Sequence, residues 1–304
     1  MTRESAMGYD FGAIDAVCNF EFDMPGIDRP EWSKTFITEK IGMDGQVING
    51  YTIDGFIEKM DRAGIDHVFL IAVRAGSAMH KIHRHISYDL VAEVCAKRPD
   101  KFSGLAGIDP TMGMAGLREM ERGIRDYGFV GAHLYPHWFE MEPDHARYYP
   151  FYAKCCELDV PIQMQVGHCL RYSVERPLRS VGRPITLDTI ACHFPELKLV
   201  GIHVGWPWTE EMISVAYKHP NVYIGSDAYG PKHWPASFVH FINSWGKKKV
   251  LFGTDFPVID LERARREIEE LNLRPDSKRL FLRNNIIDLY KLKLPKVELA
   301  EAAE

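Results

Sequence analysis

Asp255 lies in the run Val250-Leu-Phe-Gly-Thr-Asp-Phe-Pro257, just beyond an apolar stretch. An aspartate held at the end of a strand can bind a metal, carry a proton or activate water. Side chains of similar capability recur behind or within other apolar runs. They are Asn19 and Glu21, then His133, His168 and His203, then Ser226 and Asp227. Imidazole titrates near neutral pH, so histidines in these places point to acid/base or metal-assisted chemistry. His203 and Asp255 are the strongest catalytic candidates, with His168 beside them. His133 is a candidate for substrate binding, or for a hydrogen-bonded polar group beneath the site, given Tyr135, Pro136 and Trp138 nearby. Arg171, Arg176, Arg179 and Arg183 follow His168 closely, and guanidinium forks bind carboxylates through two hydrogen bonds. Arg171 and Arg183 are therefore expected to hold a small carboxylate substrate, with salt bridging as the competing use. Trp206, Trp208 and Tyr229 are placed either to stack on a planar substrate or to pack the rim, and Trp206 is taken as the binding candidate.

These residues need a scaffold that gathers strand ends. Apolar, β-rich runs occur at 13–20, 67–73, 104–108, 129–135, 161–166, 198–204, 221–225 and 249–253, with helical periodicity between them. Leu90, Val91, Val94 and Cys95 share one helical stripe, and Met212, Ile213, Ala216 and Tyr217 another. Thr209 is expected to cap the second of these helices, and Pro235 to open a later one. Eight strands alternating with helices predict a (β/α)8 TIM barrel, in which strand ends converge on one mouth. The chain is read as a single domain over 1–304, with a charged, alanine-rich tail at 296–304 that frays. The stretches 21–50 and 170–184, after the first and fifth strands, are longer than a barrel needs and are expected to wall the pocket.

Composition excludes several classes. Of 304 residues, 46% are apolar and 26% charged, and the net charge of −5 with no basic run longer than Lys247–Lys249 argues against nucleic acid. No apolar stretch is long enough to span a membrane and none near the N-terminus resembles a secretion signal, so a cytoplasmic protein is expected. The six cysteines lack C-x-x-C spacing and read as reduced thiols. The close-set His80, His83 and His85 read as an exposed polar loop.

Several motifs occur together: Gln165-Val-Gly-His168, Phe194-Pro-Glu-Leu-Lys-Leu-Val200 leading to His203-Val-Gly205, Pro220-Asn-Val-Tyr223, Leu251-Phe-Gly-Thr-Asp-Phe-Pro257 and Leu282-Arg-Asn-Asn285. With these the chain resembles, over nearly its whole length, the amidohydrolase-related family typified by aminocarboxymuconate semialdehyde decarboxylase, with resorcylate decarboxylases and pyrone dicarboxylate lactonases as relatives. The resemblance implies that His168 and Asp255 are metal ligands and that His203 is the general acid/base. It also implies a first-strand Asp-x-His-x-His, where this chain has Asp15-Ala-Val-Cys-Asn19. A divalent zinc, manganese or iron would then need Asn19 or Glu21 to complete its ligands, and a metal-free site is the equal alternative. The expected activity is decarboxylation of a small aromatic or unsaturated acid. The alternatives are hydrolysis of a lactone or amide by Asp255-activated water, and a metal-free barrel that dehydrates, isomerises or only binds. A homodimer is expected.

Overall fold

A computed structural model describes residues 9–299 apart from 44, 81 and 172. Its centre is eight parallel strands in chain order: β1 (Ala13–Cys18), β2 (Ile65–Ala72), β3 (Phe102–Gly107), β4 (Gly131–Leu134), β5 (Ile162–Gln165), β6 (Leu199–Ile202), β7 (Val222–Gly225) and β8 (Val250–Leu251). Each falls within or beside one of the expected runs. The seam closes through backbone bonds from Ala16 N to Phe252 O at 3.0 Å, from Asp255 N to Val17 O at 2.8 Å and from Asn19 N to Phe256 O at 3.0 Å. The buried Asp15 fastens the same seam by accepting from Val17 N and Thr254 N, each at 3.0 Å, and from the Thr254 hydroxyl at 2.5 Å. The architecture is the expected (β/α)8 TIM barrel.

β6 stops short of its apolar run because the chain turns sharply at the mouth. His203, Val204 and Asp255 all adopt positive φ, at 69°, 55° and 55°. Such backbone costs a non-glycine residue about 1–3 kcal/mol and persists where the surroundings over-determine it, often at functional sites. The helices cover the barrel with their apolar faces inward. Over Tyr88–Lys97 the buried residues are Tyr88, Val91 and Val94, with Ser87 capping Leu90 N. Over Thr209–Lys218 the buried face is Met212, Val215 and Ala216, which turns the expected stripe away from Tyr217. Thr209 is itself the first helical residue and is buried, with no side-chain cap, because Trp208 occupies the capping position. Pro235 stands immediately before the helix Ala236–Ile242, as expected.

Both long connections lie over the mouth. Residues 21–50 fold into short helical turns, Glu31–Thr35, Phe36–Ile41 and Gly45–Asn49. Among the described residues of 170–184 there is no helix, and the segment returns beside β5, where Gly182 bridges Gly167. The predicted fraying of the tail is corrected as far as Val297, whose N–H and C=O both pair with the Asn284 side chain. Residues 300–304 lie outside the described residues. Among the described residues no helix is long and apolar enough to cross a membrane.

Candidate active site

A pocket opens at the carboxyl ends of the strands, and its lining includes His203, Asp255 and Arg171. His203 follows β6, Asp227 follows β7 and Asp255 follows β8. Asp227 grips His203 twice: one carboxylate oxygen accepts the His203 backbone N–H at 3.1 Å, and the other lies 3.3 Å from the ring Nε2. That grip holds His203 in its left-handed conformation. Asp255 approaches Nε2 to 3.7 Å from the pocket side. Burial drives all three groups toward neutrality, pushing the imidazole down to about 3, Asp255 up to about 7 and Asp227 well above the usual carboxylate range. Asn19 donates to Asp255 Oδ1 at 2.8 Å. The same amide nitrogen faces Phe256 O at 3.0 Å, so its orientation is fixed by acceptors alone.

Arg171 lines the same pocket and lies in an aromatic cage, its guanidinium 4.3 Å from the Phe36 ring centre, 4.6 Å from Trp32 and 5.4 Å from Trp138. Desolvation lowers it to about 10. Its Nη1 is buried without a hydrogen-bond partner, an expensive state for a cation and one that an arriving carboxylate relieves. Phe36, Ile37 and Ile41 add an apolar wall, and Tyr135, His137 and Tyr229 add polar atoms that are buried and unpartnered. The pocket therefore combines a cation, an apolar wall and a proton-bearing group.

The profile of the family described as amidohydrolase matches residues 67–292. The chain belongs to the amidohydrolase family. It is 22% identical over 291 residues to gamma-resorcylate decarboxylase of Polaromonas sp. (strain JS666 / ATCC BAA-500), covering 79% of this chain and 87% of that one. It is 36% identical over 84 residues to gamma-resorcylate decarboxylase of Rhizobium sp. (strain MTP-10005), a match spanning only 25% of each protein. Among solved structures, an uncharacterised TIM-barrel protein, Bb4693 of Bordetella bronchiseptica, superposes with a TM-score of 0.76 at 27% identity, over 92% of this chain and 99% of that one. A dihydroxybenzoic acid decarboxylase from Polaromonas sp. JS666, with bound manganese and the inhibitor 2-nitroresorcinol, superposes with a TM-score of 0.68 at 18% identity, over 94% and 98%.

Within this amidohydrolase the sequence candidates separate. Asn19, His168, Arg171, His203 and Asp255 line the pocket, whereas Arg183, Trp206, His133 and Glu21 do not. Arg183 is corrected to a surface ion pair with Glu211 at 2.5 Å, its guanidinium over Trp208. Trp206 is 42% exposed and stacks on the pocket-lining Tyr229 at 5.2 Å. His133 lies beneath the mouth, where Gln163 Nε2 donates to its Nδ1 at 3.0 Å and burial lowers it to about 3. His168 is exposed, three residues past Gln165 at the end of β5, and packs on Trp208 at 5.1 Å. Arg179 is a surface residue near Glu140, and Arg176 donates to Ile82 O and Trp138 O. The histidine loop is partly ordered by a short ribbon pairing Arg74–Ala75 with Arg84–His85, which carries Arg84 to the pocket. Sequence reasoning gave no role to Arg84 or His137. A histidine three residues beyond a strand run was the available signal for the second, and Arg84 had none.

The residues around Asp255 do not reproduce the ligand set that the resemblance implies. Val17 offers no ligand atom, and Asn19 turns its N–H groups, not its carbonyl, toward Asp255. Glu21 is fully buried between Arg84 at 2.7 Å and Arg29 at 3.8 Å, so it is corrected from possible ligand to ion-pair partner. His168 is absent from the group of potential ligands containing Asp255, which is His203, Asp227 and Asp255, with ligand atoms within 4.8 Å of one another. In that group the spacing of Nε2 and the Asp227 carboxylate suits a shared proton, and a cation there would take the nitrogen that the acid/base role requires.

Proposed function

We propose that this amidohydrolase is a metal-independent carboxy-lyase that removes carbon dioxide from a small aromatic or unsaturated carboxylic acid. The observation that carries this reading is a caged arginine with an unpartnered buried N–H, lining the same partly apolar pocket as His203 and Asp255, which Asp227 backs. The decarboxylase names of the relatives support it. Arg171 orients the carboxylate, and the apolar wall excludes water, which favours release of neutral carbon dioxide over retention of a carboxylate. A proton that burial keeps on the Asp227 and Asp255 carboxyls passes through His203 Nε2 to the carbon that bears the carboxylate. The C–C bonding pair then returns to the carbon skeleton, carbon dioxide departs, and a proton from solvent restores the carboxyl. Atoms balance as one carboxylate and one proton giving one C–H bond and one carbon dioxide.

The direct test is carbon dioxide release across a panel of hydroxybenzoates and unsaturated acids. Water addition or lactone opening without carbon dioxide would replace this reading with a hydratase or a hydrolase. Arg171→Lys keeps the charge but loses the bidentate fork, and is expected to raise KM by about tenfold or more with a smaller change in kcat. An unchanged KM would remove Arg171 as the carboxylate anchor. Elemental analysis of protein purified without chelators or a metal column is expected to give far less than one divalent cation per chain, with activity surviving chelation. A stoichiometric cation that disappears in Asp227→Asn would instead put a metal on His203, Asp227 and Asp255.

A further inference from the structure

His137 stands three residues beyond β4, where Tyr135 and Pro136 turn the chain across the mouth. Its ring is buried and lines the pocket. The loop after β5 returns directly against it: Val181 donates its backbone N–H to Nδ1 at 3.1 Å. The neighbouring Gly182 packs so closely that a Cβ there would come within 2.8 Å of the ring Cε1. A backbone N–H can only donate, so Nδ1 must be the unprotonated nitrogen and the neutral ring carries its proton on Nε2. Burial, the larger cause, and the nearby His168 lower the imidazole to about 4, which keeps it neutral at physiological pH. Nε2 is buried and has no partner. The Tyr135 and Tyr229 hydroxyls are in the same condition in the same pocket, and burial keeps both protonated.

A buried donor left without an acceptor is costly, and three that line one pocket suit a ligand rich in oxygen. We propose that His137 is a substrate-binding residue whose Nε2–H, fixed in one tautomer by Val181, donates to a substrate oxygen other than those held by Arg171. The proposal rests on the carboxylic-acid reading above and adds a second anchor to it. A neutral donor suits this position because it polarises an oxygen that gains charge during the reaction without competing with Arg171 for the carboxylate. The proposal also gives the long loop after β5 a task, which is to set the tautomer of a residue on the neighbouring strand end.

The test uses 15N-histidine-labelled full-length protein, with 2,6-dihydroxybenzoate and 2-nitroresorcinol as probes. The His137 signal, assigned by its loss in His137→Phe, is expected to show the neutral Nε2–H form from pH 5 to 8 and to shift when either probe binds. His137→Gln retains an N–H donor and is expected to bind the probes within a few-fold of the parent, whereas His137→Phe is expected to bind at least tenfold more weakly. A doubly protonated ring, an Nδ1–H tautomer, or equal affinity of His137→Phe and the parent would overturn the proposal. Thermal melts of both variants separate lost binding from lost folding, and a folded His137→Gln as weak as His137→Phe would also count against it. If the parent binds neither probe while the tautomer is as stated, the carboxylic-acid reading fails and this assignment fails with it.

Discussion

His203→Gln is expected to lower kcat for carbon dioxide release by about 10²–10⁴, the usual worth of a positioned general acid, while KM changes little. The split follows from the geometry, since His203 lies with Asp227 and Asp255 and the carboxylate anchor, Arg171, is caged by residues of other segments. Glutamine has no titrating nitrogen to pass a proton from Asp227 to carbon. The position has positive φ, so His203→Asn is the better-tolerated companion, asparagine being among the few residues that adopt left-handed backbone readily. Equal losses in both variants, with normal melting behaviour, would exclude a backbone artefact. The parent should lose activity as pH rises through about 7, because the protonated form of Asp255 is then depleted. A folded His203 variant with full kcat would remove the acid/base assignment.

The barrel was legible in the sequence because its strands are short apolar runs and its helices carry one apolar face, both local properties. The strand ends were less legible, since the run Lys198–Val204 continues past Ile202, where the left-handed His203 and Val204 break the ladder. The grouping of His203, Asp227 and Asp255 was legible for the same reason as the strands: Asp227 and Asp255 each stand two residues past an apolar run. The arginines show where local reasoning ends. Arg171 and Arg183 share one loop and one chemistry, yet one is caged by Trp32, Phe36 and Trp138 while the other pairs with Glu211 on the surface. The cage residues come from two other segments, so nothing within residues 170–184 distinguishes the two. Asn19 is a similar case. The resemblance implies a histidine at its position, but only the acceptors around its nitrogen show that it grips Asp255 as a donor.

Asp255→Asn is expected to reduce kcat by at least about 10² and, at pH 8, to make the protein more stable. The sign follows from the direction of the shift. Burial, outweighing the Asn19 hydrogen bond and Arg171, raises the folded carboxyl from 3.8 to about 7, so the native state binds this proton more tightly than the unfolded chain does. Its contribution to stability is complete below about pH 4 and is lost as pH rises through about 7. Above that the buried charge costs up to about 4 kcal/mol, an upper bound because Asp227 shares the same protons. Asparagine never carries the charge and still accepts from Asn19 through its carbonyl oxygen. Urea denaturation at pH 5 and pH 8 should therefore show parent stability falling between the two and variant stability falling less, with the variant ahead at pH 8. Parallel pH dependences would mean that Asp255 is already ionised in the folded protein at pH 5, and the proton for carbon would have to come from elsewhere. A variant that is more stable and nearly inactive would instead mark Asp255 as a residue kept in an unfavourable environment because the chemistry needs its proton there.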